Sequence, residues 1–261
     1  MLGAIAGDII GSLHEFQGGK TKEFPLFVAE STFTDDSVLT VAVADRLMNG
    51  FSYVDKFHEY TRAYPYRGYG AGFFHWVNAG NIEPYNSWGN GSAMRVSPVG
   101  YAFDTLEQVL QGARAGAEVT HNHPEGIRGA QAAAASTFLA RREASEQEIR
   151  RTVESQFGND LSRTTASIRP TYKFNESCQE TVPEAITAFL ESEDYEDALR
   201  LAISLEGDAD TLACITGGIA GAFYGIPQDI AASAWERLDD RLQDVVTQFC
   251  RTFRINAPWT N

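Results

Sequence analysis

The chain has 261 residues, 43% of them hydrophobic and 21% charged, which is enough apolar length for a sizeable core in one large domain or two small ones. Its formal net charge of -14 excludes a general phosphate-backbone footprint, which is a basic stripe, but leaves room for a small anion held by backbone amides. Three separated cysteines, Cys178, Cys214 and Cys250, form no CxxC pair and suit a reducing cytoplasm rather than a disulfide framework.

The N-terminal stretch MLGAIAGDIIGSLHEF lacks a basic leading region, and Asp8 interrupts its apolar run, so it reads as a helix and not a secretory signal. Gly3, Gly7 and Gly11 recur at i+4. Each glycine costs roughly 1 kcal/mol in a helix interior, so the ridge predicts a second helix packed close. Asp8, Ser12 and Glu15 share one face of the same helix. Next, TFTDDSVLTVAVADRLMNG opens with Thr34, Asp35 and Asp36 and closes on Asn49-Gly50, a helix start and stop.

Segments 64–92 and 157–177 are rich in Gly, Asn, Pro and Tyr and read as loops. Between and beyond them, TLEQVLQGARAGAEVTH, PEGIRGAQAAAASTFLARREA, SEQEIRRTVESQF, TVPEAITAFLES and DYEDALRLAISL carry helical periodicity, and AWERLDDRLQDVVTQFCRTF reads as one terminal helix. The stretch 211–226 falls short of the ~20 apolar residues of a membrane span and contains four glycines. Strand-like alternation is scarce and no linker divides the chain. These observations predict an all-α, compact orthogonal helical bundle, with residues 1–261 as one domain.

Two acidic clusters stand out: Thr34, Asp35 and Asp36, and then Asp208, Asp210 and Thr211 in GDADTLACITGGIAGAFYGIP. Helix capping accounts for either cluster alone. Yet each offers two carboxylates and a hydroxyl, more oxygen than a cap requires, ahead of a helix apolar all round. If the two starts converge, four carboxylates face one another and need cations between them. Hard divalent ions take oxygen ligands, and Mg²⁺ keeps waters that a substrate displaces. Spacing does not show whether they converge. Elsewhere, Arg95 reads as a helix-anchoring ion pair, and Asp8 as a cap or brace for neighbouring loops. His121 alone reads as a structural histidine, and Trp88 serves equally in packing or in stacking on a ligand.

In this order along nearly the whole chain, GAIAGDIIGSLHE, TDDS at 34–37, RGYGAG at 67–72, SWGNGSAMRVSPVG at 87–100, THNHPEG at 120–126 and GDADTLACITGGIAGAFYGIP make the chain resemble the ADP-ribosylglycohydrolase family. That family includes dinitrogenase-reductase-activating glycohydrolase and the ADP-ribosylarginine and ADP-ribosylserine hydrolases. The resemblance implies a compact all-helical fold with two Mg²⁺ ions, Mn²⁺ being an alternative. It also implies that Thr34, Asp35, Asp36, Asp208, Asp210 and Thr211 are the metal ligands. Glu15 matches an acidic residue implicated in catalysis, with Asp35 and Asp36 orienting water. Ser87, Trp88, Gly89 and Asn90 match a loop around the ADP-ribose phosphates and distal ribose, Gly70 lies in the facing loop, and His121 matches a histidine near the pyrophosphate. Where many relatives have Gly-Gly-Asp, this chain has Glu206-Gly207-Asp208.

The implied reaction is Mg²⁺-dependent cleavage of the glycosidic bond between ADP-ribose and an arginine or serine side chain of a modified protein. The implied setting is a cytoplasmic monomer, with no role for membrane or nucleic acid. Two other readings remain at this stage. One is a non-catalytic ADP-ribose binder that kept the pocket. The other is a two-metal phosphohydrolase, which would release phosphate or AMP and not intact ADP-ribose.

Overall fold

A computed structural model describes residues 1–14 and 19–255. Among them all regular structure is helical, apart from an isolated antiparallel bridge between Gly89 and Ser177. The fold is all-α, as composition and periodicity predict.

At its centre α1 (Leu2–Gly11) is buried along its whole length. It runs antiparallel to the helix Ala209–Phe223, numbered α13 in chain order and buried from Ala209 to Ala220. The glycine ridge explains the contact. A methyl group on Gly3 would lie 2.3 Å from the Gly217 carbonyl oxygen, one on Gly7 2.1 Å from that of Ala213, and one on Gly11 2.5 Å from Asp210 Cα. The two helices therefore pack backbone against backbone, and the C-terminal end of α1 lies beside the first turn of α13.

Around this pair, α2 (Asp35–Asn49) packs on α1 and on α3 (Tyr53–Ala63). It ends at Gly50, whose φ of 72° closes the helix with an N–H bond to Arg46 O. After α4 (Ala71–Asn78) come the short α5 (Gly91–Met94) and α6 (Val99–Ala102), then the paired α7 (Leu106–Glu118) and α8 (Pro124–Arg141). Beyond α9 (Glu146–Phe157) and α10 (Thr165–Ile168), α11 (Cys178–Leu190) and α12 (Tyr195–Ile203) join α8 in enclosing α13. Last, α14 (Gln228–Trp235) covers α1, and α15 (Asp240–Phe253) covers α2.

Four sequence expectations change. The terminal stretch is two helices, because Asp239 caps a new start by accepting from Leu242 N at 3.0 Å. Segment 64–92 contains α4, whose first turn is hidden in sequence by Gly70 and Gly72. Segment 157–177 contains one helical turn held by a Thr164–Ser167 capping box. Finally, α1 stops at Gly11, where Ser12 turns back to donate to Ile9 O at 2.9 Å, so the helix ends before Ser12.

Candidate functional site

The residues Thr34–Asp36 form the first turn of α2. Thr34 is the N-cap, and its Oγ1 accepts from Asp36 N at 3.3 Å. The same hydroxyl donates to Asp8 Oδ1 at 2.6 Å, and Asp8 Oδ2 accepts the Thr34 and Ser37 backbone N–H groups at 3.0 and 3.1 Å as well as the Ser37 hydroxyl. Asp8 is thus the brace that fixes α1 to the start of α2. On the other side, Asp35 N donates to Arg67 O at 2.7 Å. Arg67 in turn donates to Thr32 Oγ1 and Phe33 O, stacking over the Phe33 ring at 3.7 Å. This pins the loop of Gly68 and Gly70 against the acidic turn.

The second cluster opens α13. Asn90 Nδ2 donates to Asp208 Oδ2 at 2.6 Å and to Thr181 Oγ1 at 3.1 Å, while Thr211 N donates to Asp210 Oδ1 at 2.9 Å. The two helix starts meet: Thr211 Oγ1 donates to Asp36 Oδ1 at 3.3 Å. The other oxygen of Asp36, Oδ2, is buried and has no hydrogen-bond partner among the described residues. Burial, followed by the charges of Asp210, Asp8, Asp35 and Asp208, holds the Asp36 pKa well above the ordinary carboxylate range. Convergence, which spacing left open, is a property of the fold.

Both clusters line one cavity of about 310 Å³. Facing them are Gly70, Ser87, Gly89, Asn90 and His121, five of the six residues matched to a substrate loop. The sixth, Trp88, is 52% exposed and turns into a neighbouring groove, beside Phe174, that shares a wall with the cavity. The loop 87–90 is clamped by the bridge to the start of α11: Cys178 N donates to Trp88 O at 3.0 Å and Asn90 N to Glu176 O at 2.7 Å. Gly70, Ala71 and Gly72 bring the first turn of α4, which no side chain caps, to the same wall. A helix first turn of this kind offers backbone N–H groups, a chemistry that suits an anion without basic side chains.

Glu15 lies outside the described residues. Glu206 takes a left-handed conformation (φ 64°) and sits 3.9 Å from Lys20, away from the cavity lining. Arg95 departs from its expected role. It makes no ion pair among the described residues; it is buried, stacks on Phe57 and donates to Gly116 O and Thr120 Oγ1. Tyr85, Arg95 and Glu176 also line the cavity, and motif reading missed all three as lining residues. The apolar flank of Arg95, SAMRVSP, was the available signal, since a cation within buried sequence requires acceptors nearby.

The family model described as ADP-ribosylglycohydrolase matches residues 1–258. The chain belongs to the ADP-ribosylglycohydrolase family. Mouse ADP-ribosylhydrolase ARH3 is 26% identical, over 91% of this chain and 85% of its own length. ADP-ribosylarginine hydrolase Tri1 of Pseudomonas putida is also 26% identical, over 91% of this chain and 74% of its own. A solved structure, "ADP-ribosylglycohydrolase-related protein complex", superposes with a TM-score of 0.72 at 25% identity, covering 97% of this chain and 95% of that one. Family membership makes this chain a glycohydrolase. No helix among the described residues is long and apolar enough to cross a membrane.

Proposed function

We propose that this glycohydrolase cleaves the bond between the distal ribose C1 of ADP-ribose and an arginine or serine side chain of a modified protein, with divalent cations, two Mg²⁺ or Mn²⁺, at the acidic clusters. The observation that carries the reading is the single cavity, with both acidic helix starts on one side and the clamped 87–90 loop, the first turn of α4 and His121 on the other. Such a space suits a ligand with a polyhydroxylated sugar at one end and a pyrophosphate at the other. The names of ARH3 and of the arginine hydrolase Tri1 support it.

The cation fit rests on the donor set. Four carboxylates and two hydroxyls are hard oxygen donors, and the unpartnered buried Asp36 Oδ2 is an acceptor awaiting a positive partner. No group of three or more His, Cys, Asp or Glu side chains able to hold a metal is found among the described residues. In this reading the hydroxyls of Thr34 and Thr211 would join the carboxylates as donors, and water would complete the set. When bound, the cations would lower the pKa of a water and neutralise the acidic wall.

The chain's own residues would do the rest. Asp35 and Asp36 hold the attacking water and accept its hydrogen bonds as the oxocarbenium-like state forms at C1. Asn90, tied to Asp208, keeps that carboxylate aligned for the ribose end. The glycine-loop amides and His121 bind the pyrophosphate. Glu15 remains the choice for proton transfer. The reading extends to a cytoplasmic monomer; the three buried, free cysteines suit the reducing compartment.

The test is incubation of the protein with matched peptides ADP-ribosylated on arginine or on serine, with Mg²⁺ or EDTA, followed by mass spectrometry. Intact ADP-ribose released only with Mg²⁺ is the expected result. Phosphate or AMP as product would favour a phosphohydrolase, and binding without release a non-catalytic binder; either overturns the proposal.

A further inference from the structure

We propose that Arg95 and Thr120 are positioning residues that fix the hydrogen of His121 on Nε2, making the imidazole a hydrogen-bond donor facing the cavity. The ligand side of this proposal rests on reading His121 as a substrate contact.

The argument is a count of hydrogens. Arg95 Nη2 donates to Thr120 Oγ1 at 2.8 Å and to Gly116 O at 3.1 Å, and a guanidinium has no capacity to accept. Thr120 Oγ1 is therefore an acceptor towards Arg95, and its own hydrogen needs another destination. Thr120 is wholly buried, and the remaining partner of its hydroxyl among the described residues is His121 Nδ1, at 2.7 Å. A hydrogen given to Nδ1 requires a lone pair there, which places the ring hydrogen of a neutral imidazole on Nε2.

The ring is kept neutral by the same surroundings: burial first, and the Arg95 charge second, lower its pKa well below the usual 6.5. Arg95 is in turn held in place by stacking, its Cζ 4.1 Å above the Phe57 ring. His121 is fixed through its backbone N–H to Ala117 O at 2.7 Å.

Nε2 then faces Gly89 of the clamped loop and Gly91 at the start of α5. A methyl on Gly91 would lie 3.1 Å from Nε2 and one on Gly89 3.5 Å, and both glycines line the cavity. The hydrogen on Nε2 meets ligand oxygen there, the chemistry of a phosphate or a sugar hydroxyl. The opposite tautomer would present a lone pair there and repel a phosphate oxygen, which has no hydrogen to give.

The test uses the ligand-free full chain labelled with ¹⁵N-histidine, read by long-range ¹H–¹⁵N spectra, with His121→Gln to assign the ring. Expected is a protonated Nε2 and a bare Nδ1 near neutral pH, preserved in Thr120→Ser and lost in Thr120→Val. Thr120→Val should also weaken ADP-ribose binding about tenfold or more, the scale of one hydrogen bond to a charged group; Thr120→Ser should restore it. A hydrogen on Nδ1 in the wild type, or an unchanged pattern in Thr120→Val, overturns the proposal. The expected tautomers without any ADP-ribose binding would uphold the relay and overturn the ligand reading instead.

Discussion

Asp8 and Asp36 lie on either side of the Thr34 cap and are about equally hidden, at 0% and 2% exposure, yet their surroundings are opposite. Asp8 accepts from two backbone N–H groups and two hydroxyls, all from Thr34 and Ser37. Among the described residues Asp36 accepts one hydroxyl bond, from Thr211, and its Oδ2 has no hydrogen-bond partner, while the charge of Asp210 acts on it. Burial raises both pKa values, but at Asp8 the four donors oppose it. One carboxylate is structural and complete. The other is incomplete, and a buried charge left so is expected to serve a ligand.

That contrast is broken or sharpened by substitution, and the largest effect falls on turnover. Asp36→Asn should lower kcat/KM roughly 10²-fold or more, the range of a positioned catalytic group, while the protein stays folded; peptide hydrolysis with circular dichroism checks both. Asp8→Ala should instead act through stability. Leaving the two fully buried donors of Ser37, its N–H and its hydroxyl, unpaired at about 1.5 kcal/mol each predicts a loss of about 3 kcal/mol, measured as a lower urea midpoint. Gly7→Ala belongs to the same class, because its methyl would meet the Ala213 carbonyl oxygen at 2.1 Å and force α1 from α13. Overpacking of this kind costs about 1–3 kcal/mol.

A smaller effect follows from pH. The raised pKa of Asp36 means that metal-free native protein takes up a proton before the unfolded chain does. Stability attributable to this group therefore rises as pH falls through the raised folded value, and the gain is complete below the unfolded value of about 3.9. Metal-free Asp36→Asn should be more stable than wild type near neutrality, and the Tm difference should shrink towards acid pH. A difference constant with pH would contradict the raised pKa. Smallest of all, Glu206→Gly relieves a left-handed backbone at φ 64° and gives up only a 3.9 Å contact with Lys20. It should stabilise by up to about 1 kcal/mol and leave turnover near wild type, since Glu206 does not line the cavity.

Much of this organisation is legible in sequence for specific reasons. The i+4 glycines of α1 announce a close helix contact because nothing else offsets their cost, and Gly217 and Gly221 answer them from α13. The acidic helix starts announce themselves because capping does not use so much oxygen. What sequence could not show is distance. Asp36 and Thr211 lie 175 positions apart, and only the antiparallel α1–α13 packing, with Asp8 tying α1 to α2, brings them together. Arg95 was misjudged for a related reason: its acceptors are a carbonyl and a hydroxyl on α7 and the turn after it, and acceptors of that kind leave no trace in charge pattern. Helix ends were lost where a cap competes with periodicity, as at Asp239, or where glycine masks a first turn, as at Gly70.

The most direct test of the central claim is the Mg²⁺ dependence of thermal stability in the wild type and in Asp36→Asn. A cation that binds only the native state raises Tm by mass action. Wild-type protein should therefore gain several degrees on moving from EDTA to millimolar Mg²⁺, while Asp36→Asn, already stabilised without metal, should gain little or nothing. An equal Mg²⁺ shift in both proteins would show that the incomplete carboxylate at the start of α2 is not a cation ligand.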